Sequence, residues 1–275
     1  MVSILYCANS AVFHGILLSA SSIADKCSEL LDVHIATMDR TEQDENYTAV
    51  TSEQADFLRG VLKEINPQSD VRLHDFGELF TSELSSSPNA ASSYTPYTLL
   101  RLLIDMDKSM PEKILYLDTD TLAMKNIGEL YRFDLDGHDF AAAPDHLGRF
   151  FINPRYMNAG VILFNLSQIR RSGLLKRARN LCNKRRYPFP DQDVLNRCAR
   201  HKVFLPRKFN EQKKLHEDTV IRHFSKSIRW TPFFHTVNVK PWDENGLHNI
   251  YKTHAYDGEI SRWRELMNRY EEVRK

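Results

Sequence analysis

Cysteine is scarce. The 275 residues hold four, at Cys7, Cys27, Cys182 and Cys198, with no close paired spacing. That argues against a disulfide framework and for buried free thiols, since Cys7 lies in an apolar run and Cys27 ends an apolar helical pattern. A reducing, cytoplasmic setting is expected. An excess of one charge is also missing: 37 basic and 36 acidic residues leave a net charge of +1. No global field therefore steers the chain to nucleic acid. No window approaches the roughly 20 apolar residues that a membrane span needs. The apolar opening, Met1 to Ala8, has no basic segment before it and is followed by Asn9 and Ser10. It reads as a buried first strand rather than a signal peptide. No internal repeat and no linker interrupt the chain, so one domain over residues 1–275 is expected.

What is there is ordinary for a globular protein, with 42% hydrophobic, 27% charged and 11% aromatic residues. Val2 to Cys7, Asp32 to Met38 and Val71 to His74 read as strands. Phe13 to Lys26 and Ser52 to Ile65 between them carry apolar residues at helical spacing. This βαβαβ order predicts an α/β fold, a mostly parallel sheet flanked by helices. Ser82 to Ser93 has no periodicity and reads as a loop, either a lid or a solvated connection. Tyr97 to Ile104 is expected to be helical. Lys113 to Leu117, Phe140 to Ala143 and Met157 to Phe164 read as further strands, the last broken early by Asn158, Ala159 and Gly160. Ser167 is the expected N-cap of a helix reaching Cys182, and Asp191 opens another through Cys198. From Phe209 the pattern weakens until a terminal helix, Glu259 to Val273.

The strand Lys113 to Leu117 runs straight into Asp118, Thr119 and Asp120. In open α/β sheets, ligands bind at the carboxyl ends of strands. Residues two apart in extended chain face the same way, and two carboxylates so placed repel each other. A hard divalent cation relieves the repulsion and commonly completes its shell with substrate phosphates. Capping or turn aspartates are the plain alternative. A phosphatase with Asp118 as nucleophile is a sharper one, although Leu122 stands where that pattern wants Thr or Val.

The segment KILYLDTDTL, Lys113 to Leu122, resembles the metal motif of the retaining glycosyltransferases of family eight. Other segments match in order: ILYCANSAVFHGILLSASSI, YTLLRLL, AAAPD, MNAGVILFNL, FPDQDVLN and RHF. The resemblance covers residues 2 to 242 and implies a GT-A fold. It implies a nucleotide-binding half over residues 1–122, a donor-sugar and acceptor half over 123–242, and a helical tail over 243–275. Asp118, Asp120 and His223 would hold the metal, and the histidine favours Mn²⁺, with Mg²⁺ as the substitute. Cys7, Ala8 and Asn9 would line the nucleotide, and Arg101 would meet the diphosphate. Asn158, Ala159 and Asp193 would contact the donor sugar. Gln192 and Asp191 would stand at the reaction centre, with Asp145 facing the acceptor.

The implied activity is transfer of galactose or glucose from a UDP-sugar to a glycan or glycolipid hydroxyl, in lipopolysaccharide or cell-surface polysaccharide synthesis. Front-face transfer with retention is expected, because Gln192 is uncharged. Double displacement through Asp191 or Asp193 is the mechanistic alternative, and a non-catalytic nucleotide-sugar-binding protein the functional one. Two departures stand out. Asn9 replaces the family's usual aspartate, although an amide still pairs with a base edge. After His223 the chain reads HFSKSIRW, so the diphosphate-binding cation falls to Lys240, which keeps a Lys-Pro-Trp tripeptide, ahead of Arg229 and Lys226 as the other candidates. His235 is a rival to His223 as ligand.

Arg170 to Arg186 is strongly basic and has no acidic residue. It reads either as a solvated helix face or as contact with an anionic membrane, which would make the enzyme peripheral on the inner membrane face. No aromatic platform accompanies the charge, so nucleic acid is not expected as a partner. The terminal helix has an apolar face suited to packing on the domain.

Overall fold

The structure is a computed structural model that describes residues 1–91, 95–229 and 235–274. Seven strands form the central sheet, in the order β3-β2-β1-β4-β7-β6-β8. They are β1 (Val2–Cys7), β2 (Leu31–Thr37), β3 (Asp70–Asp75), β4 (Lys113–Leu117), β6 (Phe140–Pro144), β7 (Met157–Asn165) and β8 (Lys202–Phe204). Two short ladders sit outside it: β5 (Thr121–Ala123) with β9 (Ile221–His223), and β10 (Ser227–Arg229) with β11 (His235–Val237). In the central sheet β7 runs against its neighbours and the other pairings are parallel.

β1 is buried along its whole length. Its alternate side chains serve opposite faces, as period-two geometry requires. Val2, Ile4 and Tyr6 pack with the helices Phe13–Ala24 and Ser52–Ile65. Leu5 and Cys7 pack with residues of Pro96–Leu102 and Leu174–Cys182. Helices on both faces explain why the strand reads as a continuous apolar run. The chain winds outward from β1 to β3, then returns to lay β4 on the other side of β1. That reversal opens a crevice at the carboxyl ends of β1 and β4. Asn9 follows one of these strands and Asp118 the other.

Several local expectations change. Pro96–Leu102 is a 3-10 helix, not an α-helix. The helix expected to reach Cys182 breaks at Gly173, which adopts φ 67°, and its cap is Asn165, which accepts from the Gln168 N–H. Asp191 is not a cap either: the cap position is Phe189, with Pro190 opening the helix Pro190–Cys198. β7 is unbroken, but its register against β6 slips. Ala142 faces Ile162, which would set Pro144 opposite Gly160, yet Pro144 faces Met157. The slip falls on Asn158, Ala159 and Gly160 and turns them to the crevice.

Ser82–Ser93 is not a free loop in its described part. Residues 77–83 are helical, and Asn89 is buried, donating to the carbonyls of Cys182 at 2.6 Å and Arg185 at 2.9 Å. Ser92 and Ser93 lie outside the described residues. The four cysteines are free, and Cys7, Cys27 and Cys182 are buried. Among the described residues no helix is long and apolar enough to cross a membrane.

Candidate active site at the carboxyl ends of β1 and β4

Asp118 ends β4 because its N–H turns to the carbonyl of Gly160 in β7, at 2.8 Å. Three residues on, β5 begins and pairs with β9 so that Thr121 faces His223. The Phe224 N–H then bonds the Asp120 carbonyl at 3.0 Å. This short ladder carries a histidine over one hundred residues distant in sequence to the two carboxylates. His223 Nε2 lies 3.5 Å from Asp118 Oδ2 and 3.4 Å from Asp120 Oδ1. The three ligand atoms all lie within 4.8 Å of one another. Lys240 Nζ lies 2.6 Å from the other oxygen of Asp120. Burial opposes the charge of Asp120, but His223 and Lys240 outweigh it and hold the carboxyl below its usual range.

The imidazole is oriented by a chain of amides. Asp145 accepts from Asn158 Nδ2 at 2.9 Å. Asn158 Oδ1 must then face the other way, and it accepts from Asn210 Nδ2 at 2.9 Å and from the Gly160 N–H at 3.0 Å. Asn210 Oδ1 in turn faces His223 Nδ1 at 3.2 Å. An amide oxygen only accepts, so Nδ1 carries a proton, and Nε2 is the nitrogen left to bind a cation once its own proton is lost. Two carboxylate oxygens and one imidazole nitrogen fit a Mn²⁺-type cation. Glycine at 160 lets the ring in, since a Cβ there would stand 2.1 Å from His223 Cε1.

Arg101 is fully buried under the cluster, and protein acceptors take its donors. Nε reaches the Thr98 carbonyl at 3.0 Å, and Nη1 the Ala159 carbonyl at 2.7 Å and Asp191 Oδ2 at 3.0 Å. Nη2 meets Asp118 Oδ1 at 3.0 Å and the Tyr116 hydroxyl. Four hydrogen bonds and an ion pair thus occupy the guanidinium. Here Arg101 ties Asp118 and Asp191 together. Tyr116 adds a second tie, its hydroxyl donating to Asp118 at 2.5 Å. Burial pushes the Asp191 carboxyl up, and Arg101 opposes the shift.

Gln192 Oε1 accepts from the Ala159 N–H at 2.8 Å, which aims Nε2 at Asp145, 3.3 Å away. Asp193 is shared between the Tyr156 hydroxyl at 2.9 Å and the Phe189 N–H at 3.0 Å. Cys7, Ala8 and Asn9 are buried at the end of β1. Burial pushes the Cys7 thiol up to about 12, so it is no nucleophile. Asn9 donates to the Asn46 carbonyl at 3.0 Å. Lys226 is exposed. The Arg229 side chain lies outside the described residues. His235 pairs with Arg229 across β10 and β11 and is exposed, outside the Asp118–Asp120–His223 cluster.

Asn210 and Tyr116 are members that sequence reasoning missed. Tyr116 had a signal, since it lies two residues before Asp118 on the same strand face. Asn210 had none, because it falls where periodicity fades.

A crevice at a strand-order reversal, with an Asp-Asp-His cluster at its mouth, defines an α/β enzyme-type fold built to hold a charged ligand at the sheet's carboxyl edge. Residues 3–246 match the family described as Glycosyl transferase family 8, and the chain belongs to that family. This replaces the phosphatase reading of Asp118.

Among relatives, it is 32% identical over 124 residues to Glycosyltransferase GlyA of Streptococcus pneumoniae, covering 44% of this chain and 17% of that protein. It is 25% identical over 172 residues to Lipopolysaccharide 1,2-glucosyltransferase of Escherichia coli, covering 56% of this chain and 51% of the other. Less than two thirds of the length of these relatives is therefore spanned. Lipopolysaccharide 1,3-galactosyltransferase of Salmonella typhimurium is 25% identical, with 67% and 68% covered. The fold is that of the galactosyltransferase LgtC, solved with donor and acceptor sugar analogues: TM-score 0.66, 18% identity, covering 96% of this chain and 95% of that one. The expected GT-A arrangement is thus the observed one.

Proposed function

We propose that the protein is a retaining hexosyltransferase that moves galactose or glucose from a UDP-sugar to a hydroxyl of a glycan or glycolipid. Its setting would be lipopolysaccharide or cell-surface polysaccharide synthesis, in the cytoplasm, with peripheral contact at the inner face of the membrane. Family membership supports this reading, as do the lipopolysaccharide glucosyl- and galactosyltransferases among its relatives. The observation that carries it is the convergence of Asp118, Asp120 and His223 with Lys240, next to the linked pair Asp145 and Gln192.

Bound Mn²⁺, or Mg²⁺ in its place, would supply Lewis-acid neutralisation of the diphosphate leaving group. Asp118, Asp120 and His223 are its proposed ligands. Lys240 is favoured over Lys226 and Arg229 for the diphosphate, because its ammonium already reaches the cluster. Cys7, Ala8 and Asn9 line the base, and Asn158, Ala159 and Asp193 hold the donor sugar. Asp145 faces the acceptor hydroxyl, and Gln192 stands by the anomeric carbon with its amide fixed by Ala159. Asp191 and Asp193 are both engaged by protein donors, which supports front-face transfer over double displacement. In front-face transfer the acceptor hydroxyl attacks on the side the leaving group departs, and its proton passes to the leaving phosphate. The chain acts as one domain, with the nucleotide bound by residues 1–122, the sugar and acceptor by 123–242, and residues 243–275 as a helical tail.

The test is a panel of UDP- and GDP-sugars incubated with the protein and Mn²⁺, with released nucleotide measured. UDP should appear from UDP-galactose or UDP-glucose, and Asp120→Ala should abolish the release. No release from any UDP-sugar, or full turnover by Asp120→Ala, overturns the reading.

A further inference from the structure

A second concave site lies beside the reaction centre. A cavity of about 480 Å³ is lined by residues that include Ile152, Arg155, Tyr156, Arg197, Arg200 and Lys202. Arg155 precedes β7, Arg197 lies in the last turn of the helix Pro190–Cys198, Arg200 lies just beyond it, and Lys202 opens β8. Among the described residues none of these four cations meets a carboxylate, while Arg155 and Arg197 lie over the rings of Phe204 and Tyr187, 5.9 and 5.6 Å from their centroids. Asp193, also on the wall, is already shared by Tyr156 and the Phe189 N–H. Lys202 reaches only neutral oxygens, the Arg155 carbonyl at 3.0 Å and Asn196 Oδ1 at 2.9 Å. Burial, then the nearby Arg155 guanidinium, pushes its ammonium down to about 8. A neighbouring hollow of about 330 Å³ shares Arg200 and adds Arg171, Arg177 and His201. Concave walls carrying one sign of charge concentrate counter-ions, and clustered guanidinium groups select phosphate oxygens.

Ile152, on the wall of this cavity, ends an exposed apolar stretch. Phe150, Phe151 and Ile152 are 67%, 66% and 48% exposed. They sit at the tip of the loop that runs from Asp145 to Tyr156, whose ends are joined by the Asp145 N–H and the Tyr156 carbonyl at 2.9 Å. Exposed aromatic and aliphatic side chains beside cations that lack a carboxylate partner match the chemistry of a bilayer interface. There, apolar groups enter the acyl boundary and cations meet headgroup phosphates.

We propose that Phe150, Ile152 and the cavity of Arg155, Arg197, Arg200 and Lys202 dock on an anionic phospholipid bilayer, with a headgroup phosphate in the cavity. The loop then holds its other end, Asp145, facing lipid-linked acceptors; that purpose, though not the docking itself, rests on the transferase reading above. Two cations of the basic stretch Arg170 to Arg186 are already taken. Arg179 is buried in ion pairs with Glu83 and Asp105, and Arg170 is spent on the carbonyls of Asp105 and Asp107.

Co-sedimentation of the full chain with vesicles tests this, using phosphatidylcholine alone and phosphatidylcholine with about one third phosphatidylglycerol. The wild type should pellet with the anionic vesicles and stay in solution with the neutral ones. Arg197→Ala with Arg200→Ala should weaken binding about 25-fold, at roughly fivefold per cation removed. Phe150→Ser with Ile152→Ser should also release the protein. Both double variants should keep the wild-type melting temperature and its UDP release from the donor. Equal pelleting of wild type and both variants overturns the proposal, as does a wild type that ignores anionic vesicles while inorganic phosphate protects it against melting. Vesicle binding lost in the variants, in a protein that releases no UDP, would sink the transferase reading and leave the docking surface standing.

Discussion

A methyl group on residue 160 would sit 2.1 Å from Cε1 of His223 and 2.6 Å from its Nδ1. Backbone and ring cannot both stay, and the ring is backed by Asn210 at 3.2 Å. Gly160→Ala should therefore displace the imidazole and weaken Mn²⁺ binding at least about tenfold, the lower range for disturbing a ligand's support. Calorimetric titration with Mn²⁺ decides it, and an affinity equal to wild type would show that His223 is not a ligand. Asn210→Leu removes the acceptor that holds the proton on Nδ1. Its Mn²⁺ affinity should fall about 10–100-fold. Asn210→Asp, which keeps an acceptor there, should recover part of the loss. If Leu and Asp behave alike, the tautomer argument fails. The Asp-x-Asp pair was legible because a buried strand announces where its end must be. Asn210 was not, because nothing local distinguishes it from any other loop amide.

The β2–β3 pair carries a buried polar chain across adjacent strands. His34 Nε2 meets Asp32 at 3.1 Å, and Nδ1 meets His74 at 2.9 Å. His74 meets Asp107 at 2.8 Å, and Arg72 closes on Asp32 at 2.9 Å. Burial, against the pull of Asp32, lowers the proton affinity of His34 below its ordinary value. The unfolded chain then takes up that proton first as pH falls, so stability rises with pH across this window and is lost below about 6.5. Thermal melts at about pH 5.5 and 7.5 should show a drop that His34→Gln makes smaller; equal drops would remove His34 as the cause. Periodicity revealed β1 to β4 but not the β5–β9 ladder. Three-residue strands are too short to show a period, and their pairing joins segments with no local signal.

The terminal helix, Asp257–Val273, closes the molecule against its first helix. Tyr270 is buried, with ring centroids 5.3 Å from Phe13 and 5.0 Å from Phe57. Trp263 Nε1 donates to the His14 carbonyl at 3.0 Å, and Lys26 pairs with Glu259 at 2.9 Å. The same first helix backs β5, where Ser22 Oγ accepts from the Ala123 N–H at 3.0 Å. Tyr270→Ala should cost about 3 kcal/mol, the lower range for deleting a buried aromatic side chain. Denaturant unfolding measures it, and a loss under about 1 kcal/mol would show that the helix is not part of the cooperative core. The tail was correctly read as packing on the domain because its apolar stripe is wide enough to need covering.

The sequence by itself determined the alternation of elements, the burial of the sheet and the place of the two carboxylates. Each of these follows from short-range rules, namely the period of apolar residues and the end of a strand. Only the tertiary structure decided which histidine joins them, which lysine reaches Asp120, and that Arg101 is a buried fastener. Those outcomes depend on pairings between segments far apart in the chain, which are set by sheet order and register. Register is a property of two strands together, and neither strand carries it alone.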